Sequence, residues 1–220
     1  MLIAGIDDAG RGAVIGPLLI AGVLIDEKRL DKVTGLGVKD SKLLSPRKRS
    51  LLAAEIIKTA KSYHTVSLPP AEIDEVIRTG RRLHRLNRLE AHGMAEVIVA
   101  LKPDIAYVDA SDVLPERYKE HIAEEVPFNV QIISEHKADK TYPIVSAASI
   151  IAKARRDTAI ASLRKQHGDL GSGYPSDPKT IEFLKKWIGT HGSYPEFVRK
   201  SWKPARRIKA DHDALQRELP

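Results

Sequence analysis

The chain has 220 residues, of which 42% are hydrophobic, and its 36 lysines and arginines exceed its 29 acidic residues, giving a net charge of +7. It contains no cysteine, which excludes disulfides and thiolate metal sites. No apolar run approaches the ~20 residues of a membrane span, and no secretory signal pattern is present. We therefore expect a cytoplasmic protein without a membrane segment, whose positive charge favours nucleic acid as a partner.

The first third of the chain predicts three strands. Residues 2–6 and 17–25 are apolar runs of strand length separated by a Gly-Pro turn signal, and we expect them to pair antiparallel. A Ser-Pro pair followed by apolar residues at helical spacing predicts a helix over 46–61. Residues 63–68 alternate like a third strand, which two prolines end.

Strands and helices then alternate. Helical spacing covers 86–101, apolar runs of strand length cover 105–108 and 130–134, Pro115 begins a helix between these two strands, and a long helix covers 145–166. Shorter helices follow at 178–188 and 204–218. This order predicts an α/β fold with a mixed sheet, in which an antiparallel meander forms one edge and parallel strands lie beyond it.

Four acidic residues stand at the ends of predicted strands. Asp7 and Asp8 close the first strand, Asp109 ends the fourth, and Asp139 follows the fifth. Ligands gather at the carboxyl ends of strands in α/β sheets, and adjacent carboxylates repel unless a cation neutralises them. The pattern favours a divalent metal with oxygen ligands. Each acid has an ordinary alternative as a turn, cap or solvated loop residue. No histidine pair has ligand spacing, so we do not expect zinc.

Gly10, Arg11 and Gly12 follow the first acidic pair. The two glycines lack Cβ atoms and let main-chain N–H groups approach a ligand closely, while Arg11 offers a planar cation. These residues suit a phosphate, although a strand-ending turn is the ordinary alternative.

Two further segments are candidate substrate contacts. Lys39, Ser41 and Lys42 place two cations and a hydroxyl before a predicted helix. Tyr174 lies in a loop rich in glycine and proline, where its ring can stack on a base or sugar or can cover a helix end.

Six motifs occur in order over nearly the whole chain. They are Gly5-Ile-Asp-Asp-Ala-Gly-Arg-Gly12, Asp40-Ser-Lys42, Tyr107-Val-Asp109, His136-Lys-Ala-Asp139, Ser146-Ala-Ala-Ser-Ile-Ile-Ala-Lys153 and Gly173-Tyr-Pro-Ser-Asp177. In this combination the chain resembles ribonuclease HII, most closely its archaeal members.

The resemblance implies an RNase H-like catalytic domain over residues 1–168 and a C-terminal helical extension over 169–220, which carries the tyrosine loop. It implies endonucleolytic cleavage of RNA in RNA/DNA hybrids and on the 5′ side of single ribonucleotides embedded in duplex DNA. Two metal ions would serve this hydrolysis and leave a 5′-phosphate and a 3′-hydroxyl.

The resemblance also assigns roles to residues. The family's four metal-binding acids, which hold Mg²⁺ or Mn²⁺, match Asp7, Asp8, Asp109 and Asp139. Its glycine-arginine-glycine element, matching Gly10, Arg11 and Gly12, recognises the ribonucleotide 2′-hydroxyl and the adjoining phosphate. Its loop tyrosine, matching Tyr174, stacks on the deoxyribose that follows the ribonucleotide.

Asp8 departs from the family pattern, which ordinarily has glutamate there. The missing methylene shortens the carboxylate's reach by ~1.5 Å or less, whereas Mg²⁺ requires nearly ideal octahedral geometry. We expect an active enzyme with altered metal preference or reduced rate. The alternatives are a nuclease of the ribonuclease HIII type and a catalytically weakened hybrid-binding protein.

The C-terminal segment 199–209 carries six basic residues and no acid. Three roles are open for it: docking on DNA, recruiting a replication sliding clamp, or covering the core. We expect a monomer.

Overall fold

The computed structural model describes residues 1–38, 44–79 and 85–217. The chain packs into two compact units. The first comprises Met1–Ala9, Leu19–Ser67 and Arg82–Arg155, and the second comprises Gly10–Leu18, Leu68–Arg81 and Arg156–Pro220. Each unit is therefore assembled from segments that are distant in sequence, and the domain boundary expected at residue 168 stays a prediction.

A five-stranded sheet forms the frame of the first unit. Its strands are β1 (Leu2–Ala9), β2 (Leu18–Asp26), β3 (Ser62–Leu68), β4 (Ile105–Asp109) and β5 (Gln131–Glu135). Their order across the sheet is β3-β2-β1-β4-β5. β1 pairs antiparallel with β2 and parallel with β4, and β4 pairs parallel with β5. The predicted mixed α/β sheet, including its first antiparallel pair, is confirmed.

Helices flank this sheet and form most of the second unit. They are α1 (Leu30–Thr34), α2 (Pro46–Thr59), α3 (Pro70–Thr79), α4 (Arg85–Leu101), α5 (Pro115–Ala123), α6 (Ala138–Thr141), α7 (Pro143–His167), α8 (Pro178–His191) and α9 (Lys203–Arg217). The sequence pattern does not predict α1, α3 or α6. Within the described ranges, none of the helices combines the length and apolar character needed to cross a bilayer.

The centre of the sheet is buried on both faces. All but two residues of β1 are buried, as is every residue of β2 except the last. The sequence of a strand that is covered on both faces is a continuous apolar run rather than an alternation of apolar and polar residues. The burial of β1 thus explains why its sequence carries few polar residues before the two acids.

Gly5 sets how closely α7 approaches the sheet. A Cβ atom at this position would lie 2.2 Å from the backbone carbon of Ile144, near the start of α7. Only glycine permits this contact. The first turns of α7 therefore pack directly against β1, two residues before its acidic pair.

The second unit has its own apolar core. Its fully enclosed side chains come from the segment after β1, from α7, α8 and α9, and from the loops between them; they include Val14, Ile15, Leu170, Leu184, Ile188, Val198 and Ala205. A bridge between Ile15 and Val198 ties the early segment to the C-terminal one.

Candidate active site

The first unit holds the four predicted carboxylates. Asp7 and Asp8 are the last acidic positions of β1, and consecutive strand residues point to opposite faces of a sheet. Asp7 lies on the face of α7, because the Ser149 hydroxyl on that helix donates to its carboxylate. Asp8 lies on the other face, where its Oδ1 is 3.4 Å from the Ser111 hydroxyl.

The surroundings of Asp7 disfavour a negative charge on its carboxylate. Its side chain is only 5% exposed, and its Oδ1 accepts a hydrogen bond of 2.7 Å from the Asp8 N–H. Burial, followed by the charges of Asp8 and Asp109, raises the pKa of the Asp7 carboxyl well above its usual value, against the opposing effect of the two hydrogen bonds. The carboxylates of Asp8 and Asp109 are therefore close enough to Asp7 to oppose its ionisation.

Asp109 is bonded to the start of the short helix that carries Asp139. Asp109 ends β4, and its Oδ1 accepts a hydrogen bond of 2.7 Å from the N–H of Ala138, the first residue of α6. Lys137 precedes this helix in the left-handed conformation, with a φ of 59°. The turn places the buried Asp139 directly after the N–H that Asp109 binds.

Two polar side chains on α7 were not predicted as part of this site. Ser149 donates to Asp7 and accepts a hydrogen bond of 2.7 Å from the Lys153 ammonium group. The two residues lie four positions apart, which places them on one face of the helix. That spacing was the sequence signal available for finding them.

Glu90 and Ser111 extend the site beneath Asp8. Glu90, on α4, is fully buried, and its Oε1 lies 3.0 Å from the Ser111 hydroxyl that also faces Asp8. A hydroxyl has a single proton to donate, so Ser111 serves one of the two carboxylates at a time. Neither residue was singled out from the sequence.

The donor chemistry of this site fits a hard divalent cation. Carboxylate oxygens are the ligands that Mg²⁺ and Mn²⁺ prefer, and the repulsion acting on Asp7 is what such an ion relieves. In the described part of the chain, no three or more histidines and acids converge in the arrangement of a metal site with their side chains as they stand. Asp8 is instead directed to Ser111, and Asp109 to the Ala138 N–H.

The second unit holds the glycine-arginine-glycine element as a tight turn. The Gly10 carbonyl accepts a hydrogen bond of 3.1 Å from the Ala13 N–H, which makes Arg11 and Gly12 the central residues. Gly10 has a φ of +94°, and a Cβ atom there would lie 2.6 Å from Nε of Arg156. A Cβ atom at Gly12 would meet nothing within 4 Å.

The Tyr174 loop is bonded to the residues that follow this turn. The Gly173 carbonyl accepts hydrogen bonds of 2.8 and 3.1 Å from the N–H groups of Val14 and Ile15. The Arg156 guanidinium lies 4.4 Å from the centre of the Tyr174 ring and donates to the Ser172 carbonyl at 3.1 Å. Since Arg156 covers one face of the ring, a sugar or base would have to stack on the other.

The remaining predicted contacts, Lys39, Ser41 and Lys42, lie outside the described residues.

Comparison with known proteins identifies the family. The family model described as ribonuclease HII matches residues 4–205. Ribonuclease HII of Thermococcus sibiricus is 46% identical over 220 residues, which cover 99% of this chain and 94% of that protein.

Solved structures agree with this match. The crystal structure of ribonuclease H2 from Pyrococcus horikoshii OT3 aligns with a TM-score of 0.89 at 43% identity, covering 97% of this chain and 99% of that one. Ribonuclease HII in a complex with PCNA from Archaeoglobus fulgidus aligns with a TM-score of 0.82 at 46% identity, covering 92% and 96%. A Bst ribonuclease HIII structure with Mn²⁺ aligns at 21% identity and a TM-score of 0.82, over 97% of this chain and 71% of that one, and shows the fold alone. The chain therefore belongs to the ribonuclease HII family and is a ribonuclease H endonuclease.

Proposed function

We propose that this endonuclease cleaves RNA within RNA/DNA hybrids and on the 5′ side of single ribonucleotides in duplex DNA. The observation that carries this proposal is the position of Asp7, a buried carboxylate whose ionisation the charges of Asp8 and Asp109 oppose. Such mutual repulsion at the ends of neighbouring strands is the electrostatic setting of a metal-dependent phosphodiesterase.

Asp7, Asp8, Asp109 and Asp139 would hold two divalent ions, Mg²⁺ or Mn²⁺. When bound, two such ions supply an activated water and stabilise the leaving 3′-oxygen. Because the bond between phosphorus and the 3′-oxygen breaks, hydrolysis leaves a 5′-phosphate and a 3′-hydroxyl. The solved Bst ribonuclease HIII contains Mn²⁺, and the same chemistry is proposed here because all four side chains offer carboxylate oxygens.

Ser149 and Lys153 orient the Asp7 carboxylate. The Ser149 hydroxyl donates to Asp7 and fixes the direction of that carboxylate. The Lys153 ammonium donates to the Ser149 oxygen at 2.7 Å, so the serine proton stays directed towards Asp7. Both side chains sit on a helix that Gly5 holds against β1.

Substrate recognition is proposed for the second unit and for Lys39, Ser41 and Lys42. Gly10, Arg11 and Gly12 would bind the ribonucleotide 2′-hydroxyl and the adjoining phosphate, and Tyr174 would stack on the following deoxyribose. Phosphate contacts from Lys39, Ser41 and Lys42 remain part of the proposal.

A replication sliding clamp is the proposed protein partner, since the Archaeoglobus relative forms a complex with PCNA. A monomeric state and a cytoplasmic location are proposed with it.

Cleavage of three labelled duplexes tests this function: an RNA/DNA hybrid, a DNA duplex with one ribonucleotide, and the same duplex without it. We expect the first two to be cut with Mg²⁺ or Mn²⁺ and the third to stay intact. Failure to cut at the single ribonucleotide would contradict the proposed substrate range.

Asp109→Asn should abolish cleavage and leave hybrid binding largely intact, because the amide lacks the negative charge that holds a metal. Asp31→Asn, at an exposed position of α1, is the matched control and should cut normally. Turnover retained by Asp109→Asn would remove this residue from the catalytic set.

Tyr174→Ala should reduce cleavage at a lone ribonucleotide, while Tyr174→Phe, which keeps the ring, should retain most of it. Equal activity of both variants on that duplex would rule out the stacking role.

A further inference from the structure

Arg199 is a fully buried arginine in the loop before α9. All three groups of its guanidinium donate to backbone carbonyls of one early segment. Nε donates to Gly16 at 3.1 Å, Nη1 to Arg11 at 2.8 Å, and Nη2 to Gly10 at 2.8 Å. A single planar cation thus holds three carbonyls in fixed directions.

The backbone and a ring hold Arg199 itself in place. Its N–H donates to the Val14 carbonyl at 2.9 Å, and the Gly16 N–H donates to the carbonyl of Phe197 at 2.8 Å. The Trp202 ring lies 5.0 Å from the guanidinium carbon. The arginine is therefore a rigid support rather than a side chain that adapts to its surroundings.

The direction of the two carbonyls fixes the direction of the amides that follow. In a planar trans peptide the C=O and the next N–H point opposite ways, and no cis peptide occurs in the described ranges. With the carbonyls of Gly10 and Arg11 turned towards the buried guanidinium, the N–H groups of Arg11 and Gly12 face away from it. Two successive amides facing one side form a concave site for an anionic or hydroxyl oxygen.

We propose that Arg199 is a positioning residue for ribonucleotide recognition, because it sets the Gly10–Ala13 turn so that the amides of Arg11 and Gly12 meet the sugar-phosphate oxygens. This role rests on the proposed function. Arg199 acts through the turn and does not touch the substrate. Lysine cannot replace it, since one ammonium group cannot reach three carbonyls in a fixed fork.

Arg199→Lys tests the role in competition kinetics. KM and kcat are measured on the duplex with one ribonucleotide, and the inhibition constant is measured for the all-DNA duplex. We expect KM to rise about tenfold or more, because a misplaced binding group weakens binding steeply, whereas the inhibition constant of the all-DNA duplex should change less than about twofold. Arg78→Lys, an exposed arginine of the same unit that pairs with Glu75, is the control and should change neither constant.

The ratio of KM for the ribonucleotide duplex to the inhibition constant of the all-DNA duplex distinguishes a positioning role of Arg199 from a general loss of structure. A KM and an inhibition constant that rise together, or that both stay unchanged, would overturn the role of Arg199. A wild-type enzyme with no preference for the ribonucleotide duplex would overturn the proposed substrate and this role with it.

Trp202→Leu replaces the lysine variant if circular dichroism shows that Arg199→Lys does not fold. It removes the ring over the guanidinium but leaves the arginine in place. The same selective rise in KM is expected, with a smaller magnitude, and an unchanged ratio of the two constants would contradict the proposal.

Discussion

At the scale of single residues, Asp7 and Asp8 share a strand end but not a face. Asp7 is directed towards α7 and Asp8 towards Ser111 and α4. For both residues to bind one metal ion, as proposed, the side chain at position 8 would have to extend past the end of the strand. This geometry is the physical reason for our expectation that one methylene affects metal binding at this position.

Asp8→Glu should raise the rate of cleavage in Mg²⁺ more than in Mn²⁺, because Mg²⁺ tolerates less departure from octahedral geometry. Initial rates on the single-ribonucleotide duplex in each metal measure the effect, and Asp8→Asn is the control that should lower both. Unchanged rates in both metals would show that the shorter side chain of Asp8 does not slow cleavage.

Gly10 and Gly12 are expected to respond differently to alanine. Gly10→Ala meets both a positive φ and a contact of 2.6 Å with Arg156, so it should lower the free energy of unfolding by about 1–3 kcal/mol. Gly12→Ala meets open space and should change stability by less than about 0.5 kcal/mol, yet weaken binding of the ribonucleotide duplex by obstructing close approach. Urea unfolding and fluorescence anisotropy measure the two effects. A Gly12→Ala protein with normal binding would remove Gly12 from the substrate contacts.

At the scale of elements, Asp112 joins the end of β4 to two helices. Its carboxylate accepts hydrogen bonds from Asn87 on α4 at 2.8 Å, from the Leu114 N–H at 2.9 Å, and from Arg117 on α5. Burial alone would raise its pKa, but the hydrogen bonds from Arg117, Leu114 and Asn87 outweigh burial and hold the pKa well below the usual range. The loop that carries Ser111 is thereby anchored at its far end.

Asp112→Ala should lower the free energy of unfolding by about 2–3 kcal/mol near neutral pH, since it leaves charged and amide donors without their acceptor. The pKa of Asp112 is lower in the folded protein than in the unfolded chain. The extra free energy of unfolding of the wild type is therefore present above the unfolded pKa of about 3.9 and is lost as the pH falls through the pKa of the folded protein. Urea unfolding of both proteins between about pH 7 and 3 should show the difference shrinking on acidification. A difference that is constant over this range would contradict the assignment.

The sequence predicts a helix or strand well where its residues have one structural meaning. The Ser-Pro start of α2 and the apolar run of β1 are confirmed, whereas α3 was not predicted. Its first residue, Pro70, predicts the end of the preceding strand, but proline also favours the first turn of a helix. Ile73, Val76 and Ile77 have the helical spacing that could have decided between the two meanings.

Candidate-site residues divide in a similar way. Asp7 and Asp109 could be proposed from strand ends, and in the structure Asp109 is close enough to raise the pKa of Asp7. Glu90 and Arg199 could not be found, because a buried charge on a helix or in a loop has no sequence signature until its distant partners are known.

At the scale of the whole molecule, the net charge of +7 predicts binding to duplex DNA that weakens steeply with salt. Arg206 and Arg207 are exposed on α9, whose Ala205 and Ile208 face the core of the second unit. The exposed pair is therefore available to phosphate groups.

Replacing both Arg206 and Arg207 with alanine should reduce the slope of log affinity against log salt by roughly 1–2 and leave the urea midpoint unchanged. Anisotropy with the all-DNA duplex over a salt series measures the slope. An unchanged slope would indicate that this face of α9 serves a protein partner or the surface of the fold rather than DNA.

The bond between Arg199 and Gly10 spans 189 positions of the chain. At translation rates of 5–20 residues per second, the ribosome synthesises the Gly10–Ala13 turn roughly 10–40 s before the arginine that supports it. A nascent chain can complete most of its sheet in that interval while the Gly10–Ala13 turn still lacks the hydrogen bonds of Arg199. Under the roles proposed above, the carboxylates of the first unit would be in place first, and selectivity for the ribonucleotide would come with the last part of the chain.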